Sequence, residues 1–309
     1  MIKLNEGETS YEETGDFTSF DDKGYSFGLY NNINQSGITY TGYSWKAGGN
    51  SNTFNIDDVG YATAAAAGLT GGDITPTGAS INTKAGFSII SYVGTGNDGD
   101  TVAHGLTKEP AFVMVKKFEE NGNWGVYHQG LSSNVKVLTV NSTNAEFTPT
   151  DKFFTWSSTT TDLLGLGFNT ITNDNTEGTV AYLWADIPGL QKFGSYRGNG
   201  GTGTGQGGAY VELGFRPALV IVKKINSTGN WMTFDNVRCS YNINDNYYYL
   251  NTAATTTHDN GNGMDFLANG FKCRGNLDDA NQNDATYVYM AWAESPFHNL
   301  YGATGTGGS

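Results

Sequence analysis

Apolar residues along this chain come in runs of five to eight that break off at Gly, Asn, Asp or Pro. Ala111–Val115 and Ala218–Val222 are unbroken β-branched and aliphatic runs, each behind a proline. They predict strands buried on both faces, and a proline at the first strand position gives up no ladder bond. Phe87–Val93 predicts another strand, closed by Gly94-Thr95-Gly96. Thr179–Ala185 and Thr286–Ala293 predict two longer ones. Helical periodicity is confined to Tyr61–Leu69, enough for one or two turns stopped at Gly68.

The runs recur in order. Ser91-Tyr92-Val93-Gly94-Thr95-Gly96 returns as Ser195-Tyr196-Arg197-Gly198-Asn199-Gly200. Pro110–Lys117 returns as Pro217–Lys224, each ending in a Lys-Lys pair. Gly122-Asn123-Trp124 returns as Gly229-Asn230-Trp231, and Trp184-Ala185-Asp186 as Trp292-Ala293-Glu294. A period of about 105 residues is too long for a solenoid rung and suits a small domain. Each Lys-Lys strand is expected to turn at Asn121-Gly122 or Thr228-Gly229 and return on its tryptophan, which places Trp124 and Trp231 in matching core positions. A partial third copy stands in front: Asn34–Trp45 matches Asn281–Trp292, and Gly24-Tyr25 matches Gly270-Phe271. Residues 1–50 therefore read as the last part of a unit, whose open edges call for another strand set or chain.

The fold expected is all-β, built of tandem β-sandwich (jelly-roll-like) repeats. Residues 1–50 form the partial repeat and 51–85 a Gly/Thr/Ala-rich connector. Residues 86–192 and 193–300 are the two full repeats, and 301–309 a flexible tail. The Gly-rich stretch 198–208 reads as a loop, since strand rather than helix follows it and a phosphate cradle needs a helix N-terminus.

Composition narrows the function. Charged residues are 15% of 309, Gly numbers 43, and 18 Tyr and 17 Phe suit turn-rich β structure. A formal net charge of −13 argues against nucleic acid and against anionic membrane surfaces. Residues 1–8 have no apolar core of a signal peptide, and the run Ala62–Leu69 is too short to cross a bilayer, so the chain reads as soluble. Cys239 and Cys273, the only cysteines, read as a reduced core pair.

Candidate chemistry is sparse. His104, His128, His258 and His298 show no metal-ligand spacing, and no Ser/His/Asp set, HExxH or Cys-x-x-Cys element stands out. Asn97–Asp100, Asn173–Glu177 and Asp278–Asn281 offer hard oxygens suited to Ca²⁺, though Asn, Asp and Gly are also turn formers. Tyr247-Tyr248-Tyr249 is the candidate contact for a glycan or a subunit interface. Alternation turns Tyr248 away from its neighbours, and aromatic faces stack on sugar C–H surfaces.

The motif order, from Gly-Phe-Ser-Ile through His104-Gly105-Leu106, Lys-Lys, Gly-Asn-Trp and Lys192-Phe193-Gly194-Ser195-Tyr196 to the closing Trp, resembles an uncharacterised domain family of bacteriophage virion and tail-associated structural proteins. The Trp45-Lys46-Ala47-Gly48-Gly49 segment fits the same resemblance, which spans about residues 24–298. It implies a non-enzymatic virion component, assembled in the host cytoplasm, with other virion proteins and copies of itself as partners. A tail fibre, spike or other surface appendage is expected, with a host surface glycan or protein as a further partner. A capsid decoration protein, a carbohydrate-binding module and a polysaccharide depolymerase are the competing readings. No catalytic or cofactor-binding residue carries over.

Overall fold

The computed structural model describes residues 3–10, 17–21, 24–28, 31–201, 207–259 and 261–295. The expected tail, His298 and the centre of the Gly-rich loop (202–206) lie outside the described residues.

At the front, β1 (Phe17–Asp21) and β2 (Gly24–Phe27) form an antiparallel hairpin, followed by one helical turn, α1 (Asn31–Asn34). Residues 51–85, expected to be a connector, instead carry three strands: β3 (Phe54–Ile56), β4 (Val59–Tyr61) and β5 (Gly78–Asn82). They are only three to five residues long, with Gly, Asn and Ser interrupting the apolar positions. What makes them strands is the ladder offered by the edge of β6 (Phe87–Val93), on which β5 pairs antiparallel, β3 parallel to β5, and β4 outermost. The turns expected over Tyr61–Leu69 shrink to one. Leu69 N–H reaches Ala64 O and Gly68 N–H reaches Ala65 O, with Gly68 at φ +73°, a Schellman closure.

The first complete series continues with β7 (Thr101–Ala103), β8 (Phe112–Lys117), β9 (Gly125–His128), β10 (Leu138–Thr139), β11 (Leu163–Gly165) and β12 (Gly178–Trp184). Its main sheet has the order β10-β9-β8-β12-β6-β5-β3-β4, while β7 and β11 pair separately. The second series is β13 (Gln191–Arg197), β14 (Tyr210–Glu212), β15 (Pro217–Lys224), β16 (Trp231–Asp235), β17 (Asn246–Tyr249), β18 (Thr257–His258), β19 (Gly263–Leu267), β20 (Gly270–Arg274), the turn α2 (Asp278–Asn281) and β21 (Thr286–Ala293). Its main sheet has the order β13-β21-β15-β16-β17-β18, with β14-β20-β19 as the second layer. Strands carrying matched motifs occupy matched places: β17-β16-β15-β21-β13 runs in the same order as β10-β9-β8-β12-β6.

The molecule is an all-β, sandwich-type structure. In the second series Val220 and Val222 of β15, with Tyr289 and Ala291 of β21, pack against Val211, Phe266 and Phe271 of the small sheet. The alternate residues, Leu219, Ile221, Val288, Met290 and Trp292, face the other way and join the core of the first series. Both faces of this sheet are covered, which is why β15 and β21 read as unbroken apolar runs rather than as alternation.

Candidate functional site

The repeated polar motifs fasten each main sheet to the segment that stands before it. Trp231, buried at the start of β16, donates its indole N–H to the backbone carbonyl of Thr139 at 3.1 Å, across to the edge of the first sheet. Trp124 makes the matching bond to Lys3 O at 2.8 Å. The tip glycines follow: Gly229 N–H donates to Thr143 O at 2.9 Å and Gly122 N–H to Gly7 O at 2.7 Å. Glu146 N–H donates to Ile225 O, and Ser10 N–H to Phe118 O. The ridge formed by residues 139–146 thus grips the second Lys-Lys hairpin bond for bond as residues 3–10 grip the first.

The lysine pairs divide the work. Lys116 reaches across to Gly7 O at 3.2 Å and Lys223 to Thr143 O at 3.4 Å. The second lysine of each pair turns inward: Lys117 Nζ lies 2.7 Å from Asp174, and Lys224 Nζ lies 2.7 Å from Asp278. Burial of Lys223 pushes its pKa down to about 8, because losing water disfavours the ammonium.

A further signature appears three times. Asn34, Asn173 and Asn281 each donate from Nδ2 to the carbonyl of a glycine six residues earlier: Gly28 at 2.7 Å, Gly167 at 2.8 Å and Gly275 at 2.8 Å. In the two complete series the Asn Oδ1 also accepts a backbone N–H, from Thr95 and from Asn199.

Three tryptophans at the matching motif position meet one another. The Trp45, Trp184 and Trp292 ring centroids are 6.1, 5.3 and 6.2 Å apart, with every pair edge-to-face. Such pairs add about 0.5–1.5 kcal/mol beyond area burial. Nearby, His128 at the end of β9 accepts from Gly130 N–H at Nδ1 and donates from Nε2 to Tyr289 O at 3.0 Å, which sets the neutral Nε2–H tautomer. Burial holds its pKa down at about 4.

Asp235 takes the place of His128 in the second series. It accepts from the Tyr43 hydroxyl at 2.7 Å and from Arg238. Arg238 also donates to the Tyr43 hydroxyl at 2.7 Å and lies 4.3 Å over the Tyr248 ring. Burial, with the charge of Asp235 close by, raises the Tyr43 pKa well above the usual phenol range.

The tyrosine triplet is therefore not a free platform. Tyr247 is buried against Phe234, Tyr249 is half-buried beside it, and Tyr248 points to the opposite face against Arg238. The proposed Ca²⁺ carboxylates Asp174 and Asp278 face lysine ammonium groups. Among the described residues no group of three or more His, Cys, Asp or Glu is placed to hold a metal ion. Cys239 and Cys273 are both free and buried, each with its own partners: Cys239 beside Tyr241 O, and Cys273 beside the Tyr196 hydroxyl. Burial pushes the Cys273 thiol up to about 12. An open groove of about 600 Å³ beside the 139–146 ridge is lined by Asn123, Asn141, Asn144, Asp151, Asn169 and Phe147 among others, a feature without a sequence motif.

Fold and joints together define an all-β protein whose repeated polar residues serve packing between sheets. Residues 1–296 match a family described as a domain of unknown function, DUF7483, and the chain belongs to that family. No curated protein and no solved structure matches it.

Proposed function

We propose that this chain is a non-catalytic structural component of a bacteriophage virion, in a tail fibre, spike or other surface appendage. One observation carries the reading: the first lysine of each Lys-Lys pair, the Gly-Asn-Trp tips and the closing Trp, which a duplicated enzyme would keep for chemistry, are engaged in joints between one series and the segment before it. Low charge with abundant Thr, Asn and Gly suits a module that assembles with other virion proteins and with copies of itself. The motif resemblance to phage structural proteins supplies the setting, with assembly in the host cytoplasm. Mass spectrometry and immunogold labelling of purified particles test it. A few copies at the tail are expected; many copies over the shell would make it a decoration protein, and absence from particles would overturn the proposal.

The Asn-lined groove favours a second reading, a glycan contact on the host surface, because amide side chains beside an aromatic ring match sugar hydroxyls and C–H faces. Glycan-array binding lost in Asn141→Ala and retained in Tyr248→Ala would place that contact in the groove rather than on the tyrosine triplet.

A further inference from the structure

Two joints are complete in this molecule and a third is half made. In the second series, β21 lies between β13 and β15 in a continuous sheet, and the β15–β16 hairpin grips the 139–146 ridge of the series before it. The front segment has its own counterpart of β21, residues 39–46, ending on Trp45 in the tryptophan cluster. Here that stretch carries no strand, and its residues alternate between exposed and half-buried, whereas six of the eight in β21 are buried. Its local build nevertheless copies the complete unit. Gln35 N–H donates to the Tyr40 hydroxyl at 3.0 Å, as Gln282 N–H donates to that of Tyr287 at 3.0 Å. Tyr287 is fully buried under Tyr196 of β13, whereas Tyr40 is 43% exposed; Ile38 is 54% exposed where Ala285 is buried.

The other half of the joint is a ridge. Leu250 N–H donates to Trp231 O and Asn251 Oδ1 accepts from Trp231 N–H, as Val140 and Asn141 do with Trp124. Tyr249–Thr256 is therefore the counterpart of residues 139–146. Val140 is buried beneath the next series, whereas Leu250 is only half-buried and Ala253–Thr256 are exposed. The Tyr43–Asp235–Arg238 contacts already bring residues 39–46 beside this end of the second series. They stand where His128 meets Tyr289 in the completed joint.

We propose that residues 39–46 and the ridge Tyr249–Thr256 together form a docking site for a polypeptide carrying the first half of this same repeat. Two of its strands flank residues 39–46 as β13 and β15 flank β21. Its Lys-Lys/Gly-Asn-Trp hairpin grips the ridge, with the Trp N–H on Tyr249 O and the tip glycine N–H on Ala253 O. The result is a closed ring of three units around Trp45, Trp184 and Trp292. A second copy of the chain does not supply this hairpin, because both of its hairpins already hold ridges. The inference stands apart from the virion role.

The matching of Leu250 with Leu4 gives the test its register: a copy of residues 188–246 fused directly ahead of Met1 supplies the missing strands. The full fused chain is compared with the unmodified chain and with a fusion of the same length and scrambled sequence, by light scattering, thermal melting and hydrogen exchange. The expected result is a monomer with a higher melting temperature and at least tenfold slower exchange over residues 39–46 and 249–256, absent from the scrambled fusion. Unchanged exchange in both segments would overturn the proposal, as would equal protection by the scrambled sequence. Because a fusion can fail to fold, the unmodified chain provides a second reading: residues 39–46 should exchange far faster than residues 286–293. Equal protection of the two stretches, or a stable dimer of the unmodified chain that protects both docking segments, would also overturn it.

Discussion

Trp231 donates its indole N–H to the carbonyl of Thr139, 3.1 Å away and 92 residues earlier in the chain. One side chain thereby fills the core shared with the first series and fastens its own sheet to the one before it. Replacing it by Ala should cost about 3–5 kcal/mol from lost burial and the cavity left behind. Trp231→Phe keeps most of the apolar area but strands the carbonyl, and should cost about 1–3 kcal/mol. Urea unfolding reads both; a neutral Trp231→Phe would mean the hydrogen bond contributes nothing.

The tryptophan cluster should behave as a coupled unit. Trp292→Ala alone should cost about 3–5 kcal/mol. In a double-mutant cycle with Trp45→Ala, a coupling of about 0.5–1.5 kcal/mol is expected for the edge-to-face pair at 5.3 Å. Simple additivity would argue that the front segment only rests against the sheets.

Acid should loosen the protein through its buried imidazoles. His104 and His128 are held down at about 4 by burial, against an ordinary value of 6.5. Between those values the unfolded chain binds more protons than the folded one, so stability is complete above pH 6.5 and falls as pH drops toward 4. For His128 the full effect is on the order of 3 kcal/mol. Unfolding titrations of His128→Gln should show a shallower slope in that window; an unchanged slope would assign the effect elsewhere.

Lys223 acts in the same sense at alkaline pH. Its pKa of about 8 lies below the ordinary 10.5, so from about pH 8 upward the unfolded state holds the extra proton. Stability should therefore rise with pH between about 8 and 10. Above that range the slope should reverse, since buried tyrosines such as Tyr92 and Tyr196 keep their protons longer than unfolded ones. Lys223→Met should abolish the rise between pH 8 and 10, as followed by thermal melts across that range.

The sequence announced the strands whose burial is two-sided, since the unbroken runs at Val220–Val222 and Val288–Ala291 follow directly from cores on both faces. It did not announce β3, β4 and β5, short runs broken by Gly, Asn and Ser that are completed by a neighbour's ladder. The tyrosine triplet was half legible. Alternation separated Tyr248 from Tyr247 and Tyr249 correctly, yet nothing local told of Arg238 or of Tyr43, which lies 195 residues before that arginine in the chain. The joints were the least visible part, because Lys3, Gly7, Thr139 and Thr143 contribute only their carbonyls, which every residue has.

That choice of acceptor has a consequence for how such a molecule can change. The two ridges, Lys3-Leu4-Asn5-Glu6-Gly7-Glu8-Thr9-Ser10 and Thr139-Val140-Asn141-Ser142-Thr143-Asn144-Ala145-Glu146, share one identical residue at matched positions, Asn5 with Asn141, yet receive the same bonds. A clasp that bonds main chain tolerates substitution at the exposed positions of the strip it holds, while the buried Val140 and the Asn141 amide oxygen that accepts from Trp124 N–H stay fixed. The outward side chains can turn over freely under pressure from outside while the fastening beneath them stays as it was.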